Sequence, residues 1–261
     1  MGLIGYHVQP KAKNPVKSDM MLFDILEALE SAKEARLTEI ADQVRTTKST
    51  VHNHLNTLRE RGYVVKQGQK YSLSYRFLKM GEQSRYRTPL YEFARPVADE
   101  LSHEENLLVN ICVEENGKSV HLYRTKENSE LRFSTQAGEA TYMHCVSVGK
   151  AILSQLPRER VNNIVSHYGL PSRTKNTITN KNALREELDS VEDAGVAFDN
   201  EEYAEGLCCV ASPIAGTDGS ILGGISITGP ATDLTGEYYR KDLPSKVQRA
   251  ANIIELNLNK Y

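Results

Sequence analysis

Apolar residues recur along this chain at two different periods, and the change of period divides it. Leu22, Ile25, Leu26 and Leu29 stand at i, i+3, i+4 and i+7, one face of a helix, with Ser18 as the expected N-cap and Asp19 in the first turn. Leu37, Ile40, Ala41 and Val44 predict a second, shorter helix capped by Thr38. Val51, Leu55 and Leu58 predict a third, capped by Thr47 and closed by Gly62. Only Arg45 and Thr46 are expected between the second and third, which is the spacing of a helix-turn-helix. After Gly62 the period falls to two: residues 63–66 and 70–73 alternate around Gln67-Gly68-Gln69, a β-hairpin with a basic rim like the wing of a winged helix.

The helical period returns at Leu90, Phe93, Ala94, Val97 and Leu101, so a linker helix is expected within residues 82–104, starting near Pro89 and kinked near Pro96. Strands follow at 106–113 and 119–125 around Glu115-Asn116-Gly117-Lys118, and another near 131–135. Helices are expected at 144–156 and 158–168, and from an Asn180 cap to Gly195. Strands at 196–199, 207–214 and 220–228, the last two joined by Thr217-Asp218-Gly219, precede a final helix at 244–259. The fold class is α+β: a flexible basic arm (1–17), a winged helix-turn-helix domain (18–81), the linker helix (82–104) and a sheet domain flanked by helices (105–261).

Composition changes this picture in one respect. Hydrophobic residues at 39% and charged residues at 25% are globular values, and no apolar run approaches the roughly 18 residues of a membrane span. No membrane is therefore expected among the partners. With no secretory h-region and no CxxC among Cys112, Cys145, Cys208 and Cys209, the expected compartment is the cytoplasm, with free thiols. The net charge of −2 is unevenly spread. Residues 1–88 hold 15 Lys and Arg against 9 Asp and Glu, whereas the remaining 173 hold 17 against 25. A basic front suits a polyanion, although a merely solvated basic surface would look the same.

The third helix sharpens that reading. At 100° per residue, Ser49, Asn53 and Asn56 point away from the apolar face, and their hydroxyl and amide groups can both donate and accept at base edges in a major groove. Asn53 has the donor and acceptor needed to read adenine, while Lys48, Arg59, Lys66 and Lys70 suit phosphates. The His52-Asn53-His54 triplet invites a metal reading, but residues two apart on a helix diverge by about 200°, whereas helical zinc pairs use i, i+4. His52 is left to touch a phosphate or base, and His54 to pack.

Residues 37–81, with Leu37-Thr38-Glu39-Ile40-Ala41, Lys48-Ser49-Thr50-Val51-His52 and the wing, resemble the N-terminal winged helix of IclR-type transcription regulators. The second half resembles the effector-binding domain of the same family, a GAF-like antiparallel sheet flanked by helices. That resemblance rests on residues 143–151 (MHCVSVGKA), 199–202 (DNEE), 206–214 (GLCCVASPI) and 225–230 (ISITGP). It implies a regulator that binds double-stranded operator DNA through Thr47, Lys48, Ser49, Thr50, His52, Asn53, Asn56, Arg59, Lys66 and Lys70. Relatives often carry arginine where this chain has Asn53. The resemblance also implies a homo-oligomer, a dimer or dimer of dimers, whose small-molecule effector shifts the disposition of the DNA-binding domains. Matched by motif, the effector residues are Ser147, Val148, Asp199, Cys209, Ser226 and Thr228, with Phe133 as an apolar wall.

The residues at 147–150 add their own argument: they open a helix at a small-residue turn, whose free N–H groups suit a carboxylate or phosphate. A plainer reading puts Val148 and Cys209 in the core and lets Ser226 and Thr228 merely alternate along a strand. No nucleophile-base-orienter spacing surrounds His144, Cys145 or Cys209, and His144, Cys209 and Asp199 lack metal-ligand spacing. No enzyme activity and no cofactor are expected. The rival is a small-molecule sensor or thiol enzyme with a vestigial DNA-binding domain.

Overall fold

The first helix, α1 (Lys17–Ala32), begins after an extended Val16 that offers no side-chain cap, so Ser18 lies inside the first turn rather than capping it. In this computed structural model, which describes residues 12–125 and 136–260, the chain forms two units that divide between Arg85 and Tyr86. α2 (Leu37–Gln43) is also capped otherwise than expected: Glu39 reaches back to accept from the Arg36 N–H at 2.7 Å, taking the place given to Thr38. α3 (Lys48–Glu60) starts as predicted, with Thr47 Oγ1 accepting from the Thr50 N–H at 3.2 Å. Residues 44–47 separate α2 from α3, two more than expected, and Arg45 takes a left-handed φ of 53° within the turn.

The wing is β2 (Val64–Gln67) and β3 (Lys70–Leu73), turned at Gly68 with φ 60°. Strand β1 (Ala35–Arg36) joins β3 on its other side, Ala35 opposite Tyr71, and two residues are too few to carry a legible period. Ile25, Leu29, Ile40, Val51, Leu55, Leu58 and Tyr71 form the core of this unit. It is followed by α4 (Arg76–Arg85), which buries no residue of its own.

A helix starts just after Pro89, as expected, and contains Pro96. Residues 82–85 end α4, and α5 (Leu90–Glu105) is part of the second unit's core rather than a connector. Leu90, Ala94, Val97, Ala98 and Leu101 are buried in one cluster with Val247, Ala250 and Ile254 of α9 (Leu243–Leu258), so its apolar face is fully used. The sheet runs β6-β5-β4-β9-β8-β7, all antiparallel: β4 (Leu108–Glu115), β5 (Lys118–Arg124), β6 (Ala140–Tyr142), β7 (Ala197–Asn200), β8 (Leu207–Ala215) and β9 (Ile221–Pro230). The strand expected near 131–135 lies outside the described residues.

Side-chain alternation gives each sheet face its own core. Val109, Ile111, Val210, Ile225 and Ile227 meet α5 and α9, whereas Cys112, Ala197 and Ala211 meet α6 (Ser147–Ser154), α7 (Arg158–Tyr168) and α8 (Lys181–Ala194). The single helix expected at 144–156 is a tight turn at Met143–Cys145 followed by α6. Gly149 explains how the two fit: a Cβ there would stand 2.2 Å from the Met143 carbonyl oxygen.

Candidate functional site

Two places gather the chemistry. On α3, Val51, Leu55 and Leu58 are buried, which leaves Lys48, Ser49, His52, Asn53, Asn56 and Arg59 exposed along the opposite side, with Thr47 exposed at the cap and Thr50 half-buried. His52 lies against Asn56, one turn on, with Nδ1 3.3 Å from the amide nitrogen, and His54 is half-buried on the flank. The two histidines thus diverge, as helical geometry requires. On the wing Lys66 lies over the Tyr71 ring at 5.2 Å, while Lys70 is paired with Glu34. Both lysines remain exposed, but Lys70 would have to leave a carboxylate to reach a phosphate.

The second place is a cavity between the sheet and the start of α6. It is lined by Leu108, Asn110, His121, Arg124, Thr141, Val146, Ser147, Val148, Asp199, Tyr203, Leu207, Cys209, Ser226 and Thr228. Strand register assembles it: Leu108, Thr228, Cys209 and Asp199 stand opposite one another in turn across four strands, and Asn110 faces Ser226 one step along the same face. Six of the seven residues expected from motif therefore surround one space, and the seventh, Phe133, lies outside the described residues. The space is narrow, about 50 Å³, room for about two waters. A larger guest must displace a half-buried wall such as Tyr203 or Arg124.

Most of the surface facing this space is apolar, and the polar side chains around it are largely engaged with one another. The Asn110 amide nitrogen donates to Ser226 Oγ at 3.4 Å and Thr228 Oγ1 at 3.3 Å, and Thr228 donates onward to Cys209 Sγ at 3.2 Å. Asp199 is fully buried; one oxygen accepts from the backbone N–H of Glu202 at 2.7 Å and of Tyr203 at 3.3 Å. Burial pushes its carboxyl up to about 7, against the pull of those N–H groups. Burial also lowers His121 to about 4, so its ring is neutral, 3.4 Å from the Cys112 thiol. At the edge of this space α6 begins without a side-chain cap, after an extended Val146, and Ser147 is buried there. Its first N–H groups and Arg124 make this the anion-favouring part of the lining.

Behind the cavity runs a charge network that the sequence reading missed. Lys150, only 1% exposed, donates to Glu202 Oε1 at 2.6 Å and Glu187 Oε1 at 2.7 Å. Burial alone would lower the Lys150 pKa, but the two carboxylates outweigh it and hold the ammonium charged. Glu202 in turn fixes Asp199 through its backbone N–H. A lysine among Val148, Ala151 and Ile152 was the available signal. Asn110, His121 and Arg124 were also missed, since a polar residue on a buried strand face is recognisable only once register is known, and Tyr203 was missed because it lies in the irregular turn between β7 and β8. The thiols are not activated: burial raises Cys145 to about 12 and Cys209 well above its ordinary value. His144 bonds to the Pro171 carbonyl at 3.2 Å.

Comparison with known proteins adds a third line. A family model described as the bacterial transcriptional regulator IclR C-terminal matches residues 83–256, and one described as the IclR helix-turn-helix domain matches residues 22–68. The HTH-type transcriptional regulator KdgR of Escherichia coli is 30% identical over 233 residues, 88% of this chain and 89% of its own. Among solved structures, the Thermotoga maritima IclR shares the fold with a TM-score of 0.78 at 23% identity, covering 93% of this chain and 97% of its own. An IclR homolog from Microbacterium hydrocarbonoxydans, solved in complex with 4-hydroxybenzoate, matches with a TM-score of 0.81 at 18% identity, covering 94% of this chain and all of its own.

Proposed function

The chain belongs to the IclR family of transcriptional regulators, and from that premise we propose which of its residues meet DNA and which meet the effector. It is a DNA-binding regulator whose activity is modulated by an effector. In our reading α3 enters the major groove, where Ser49, Asn53 and Asn56 face base edges. Thr47, Lys48, Thr50, His52, Arg59, Lys66 and Lys70 hold the phosphate backbone. The effector is a small organic acid seated in the cavity, its carboxylate received by the start of α6 and by Arg124. Ser147, Val148, Asp199, Cys209, Ser226 and Thr228 form its walls.

The observation that carries this reading is the convergence of six motif residues on one space at an uncapped helix start. The 4-hydroxybenzoate held by the Microbacterium homolog, itself a carboxylate, supports the ligand class. Paired half-sites favour a dimer or a dimer of dimers. Thiols raised by burial favour regulation without catalysis over the thiol-enzyme rival. Among the described residues no helix is long and apolar enough to cross a membrane, which fits a cytoplasmic regulator.

Thermal melts of the full chain against a library of small acids test the pocket, because a ligand of the folded state raises the transition. A true effector changes operator affinity, and the operator must change effector affinity by the same factor. Val148→Trp, which fills the cavity, should abolish the effector's action and leave effector-free DNA binding intact. A ligand that acts equally well on Val148→Trp would place the site elsewhere.

A further inference from the structure

Resting on the reading of the cavity as the effector site, we propose that the effector is a hydroxylated acid whose hydroxyls donate to Asn110 Oδ1 and Asp199 Oδ2. Both side chains line the cavity, with Asn110 at 4% and Asp199 at 0% exposure. Both keep one acceptor without a donor among the described residues, although the rest of each group is fully engaged. The Asn110 amide nitrogen is committed to Ser226 and Thr228, and Asp199 Oδ1 to two backbone N–H groups. The Cys209 thiol beside Asp199 is a weak donor at best. Buried acceptors left without partners are costly, so a ligand that supplies donors is favoured over one of the same shape that does not.

Register sets how those donors are spaced. Asn110 is on β4 and Asp199 on β7, with β9 and β8 between them, so their backbones stand about 14 Å apart. Both side chains stand on the same face of the sheet, and neither acceptor presents open surface to the cavity, so a ligand reaches them only with the wall movement that any larger guest requires. The hydroxyls therefore sit towards opposite ends of an extended ligand, not on one carbon. A hydroxyl also suits Asn110 whichever way its amide is turned, because it both donates and accepts. A plain alkyl acid satisfies the start of α6 and neither acceptor.

Calorimetric titration of the full chain with chain-matched acids tests this: threonate against butyrate, and gluconate against hexanoate. The hydroxylated partner should bind at least about tenfold more tightly in one pair or both, since a site built to bond a hydroxyl rejects the analogue lacking it. Asn110→Leu should erase most of that preference while keeping affinity for the alkyl acid, and Asn110→Val, which likewise has no acceptor, provides a second variant if the first fails to fold. Alkyl acids that bind as tightly as their hydroxylated partners, with loss of binding in Val148→Trp locating the site, overturn the hydroxyl requirement and leave the pocket reading standing. Binding of none of the four acids, alongside cavity-independent responses to other effectors, overturns both. A hydroxyl preference unchanged in both Asn110 variants also overturns the inference.

Discussion

Replacing Lys150 by methionine keeps the bulk of the side chain and removes its charge. In the wild type that charge is 1% exposed and holds Glu202 at 2.6 Å and Glu187 at 2.7 Å. Breaking a buried pair from one side costs about 3–5 kcal/mol, because the remaining charge is left without compensation. The two carboxylates are not equally trapped: Glu187 is 33% exposed and can turn to water, whereas Glu202 is 6% exposed and cannot. The lower end, about 3 kcal/mol, is therefore expected, which corresponds to a fall of roughly 6–12 °C for a unit of this size. The loss should depend on pH. Burial already raises the Glu202 pKa, and without Lys150 it rises further. The native variant then holds a proton that the unfolded chain has released, so its stability declines as pH rises. Calorimetric melts at pH 8 and pH 5 read both effects, with hydrogen exchange in α1, α2 and α3 as an internal control. A fall below about 2 °C at pH 8, or a deficit that does not shrink at pH 5, would refute the argument.

Three other outcomes follow from the same structure. Asn53→Ala should weaken DNA binding by about 1–3 kcal/mol on the preferred operator and little on random sequence, while Lys66→Ala should weaken all DNA alike and flatten the salt slope by about one, as read by gel shift. Asp199→Asn should flatten the pH dependence of stability: the carboxyl is raised from 3.8 to about 7, so wild type loses stability as pH climbs from about 4 to 7 and little above. Denaturant titrations at pH 4.5, 6 and 8 check the sign, the full difference being at most about 4 kcal/mol. Gly149→Ala forces a Cβ to 2.2 Å from a backbone oxygen and should lower the melting temperature while abolishing acid binding, whereas Gly68→Ala on the open wing, strained only by its φ of 60°, should cost about 1 kcal/mol in that unit and spare acid binding.

How much of this was legible in the sequence depended on the length of the pattern carrying each feature. α3 and α7 announce themselves because an apolar face repeats over three turns between clear end signals, and α8 because Asn180 and Gly195 bracket it. β1 is two residues long and exists only through its partner β3, so no local period could reveal it. α5 had the right residues and the wrong role: an amphipathic stripe says that a face is buried, not against what. In the cavity, Ser147 and Val148 could be placed from the helix start, and Asp199, Cys209, Ser226 and Thr228 from family motifs. Asn110 and Arg124 needed the register, because their strands are separated in sequence from the motif strands by about a hundred residues. The Lys150 network needed the approach of α8, which brings Glu187 to α6.

The alternation of the sheet has a consequence for how this regulator can change. Asp199, Cys209 and Thr228 line the cavity, while their immediate neighbours Phe198, Val210 and Ile227 belong to the opposite core with α5 and α9. Alternate positions on the same strands thus answer to different helices, the cavity face also carrying Ala197 and Ala211 of the core under α6 and α8. A lineage, or a biosensor library restricted to the cavity-lining positions, can rewrite the ligand without touching the side chains that pack on α5 and α9.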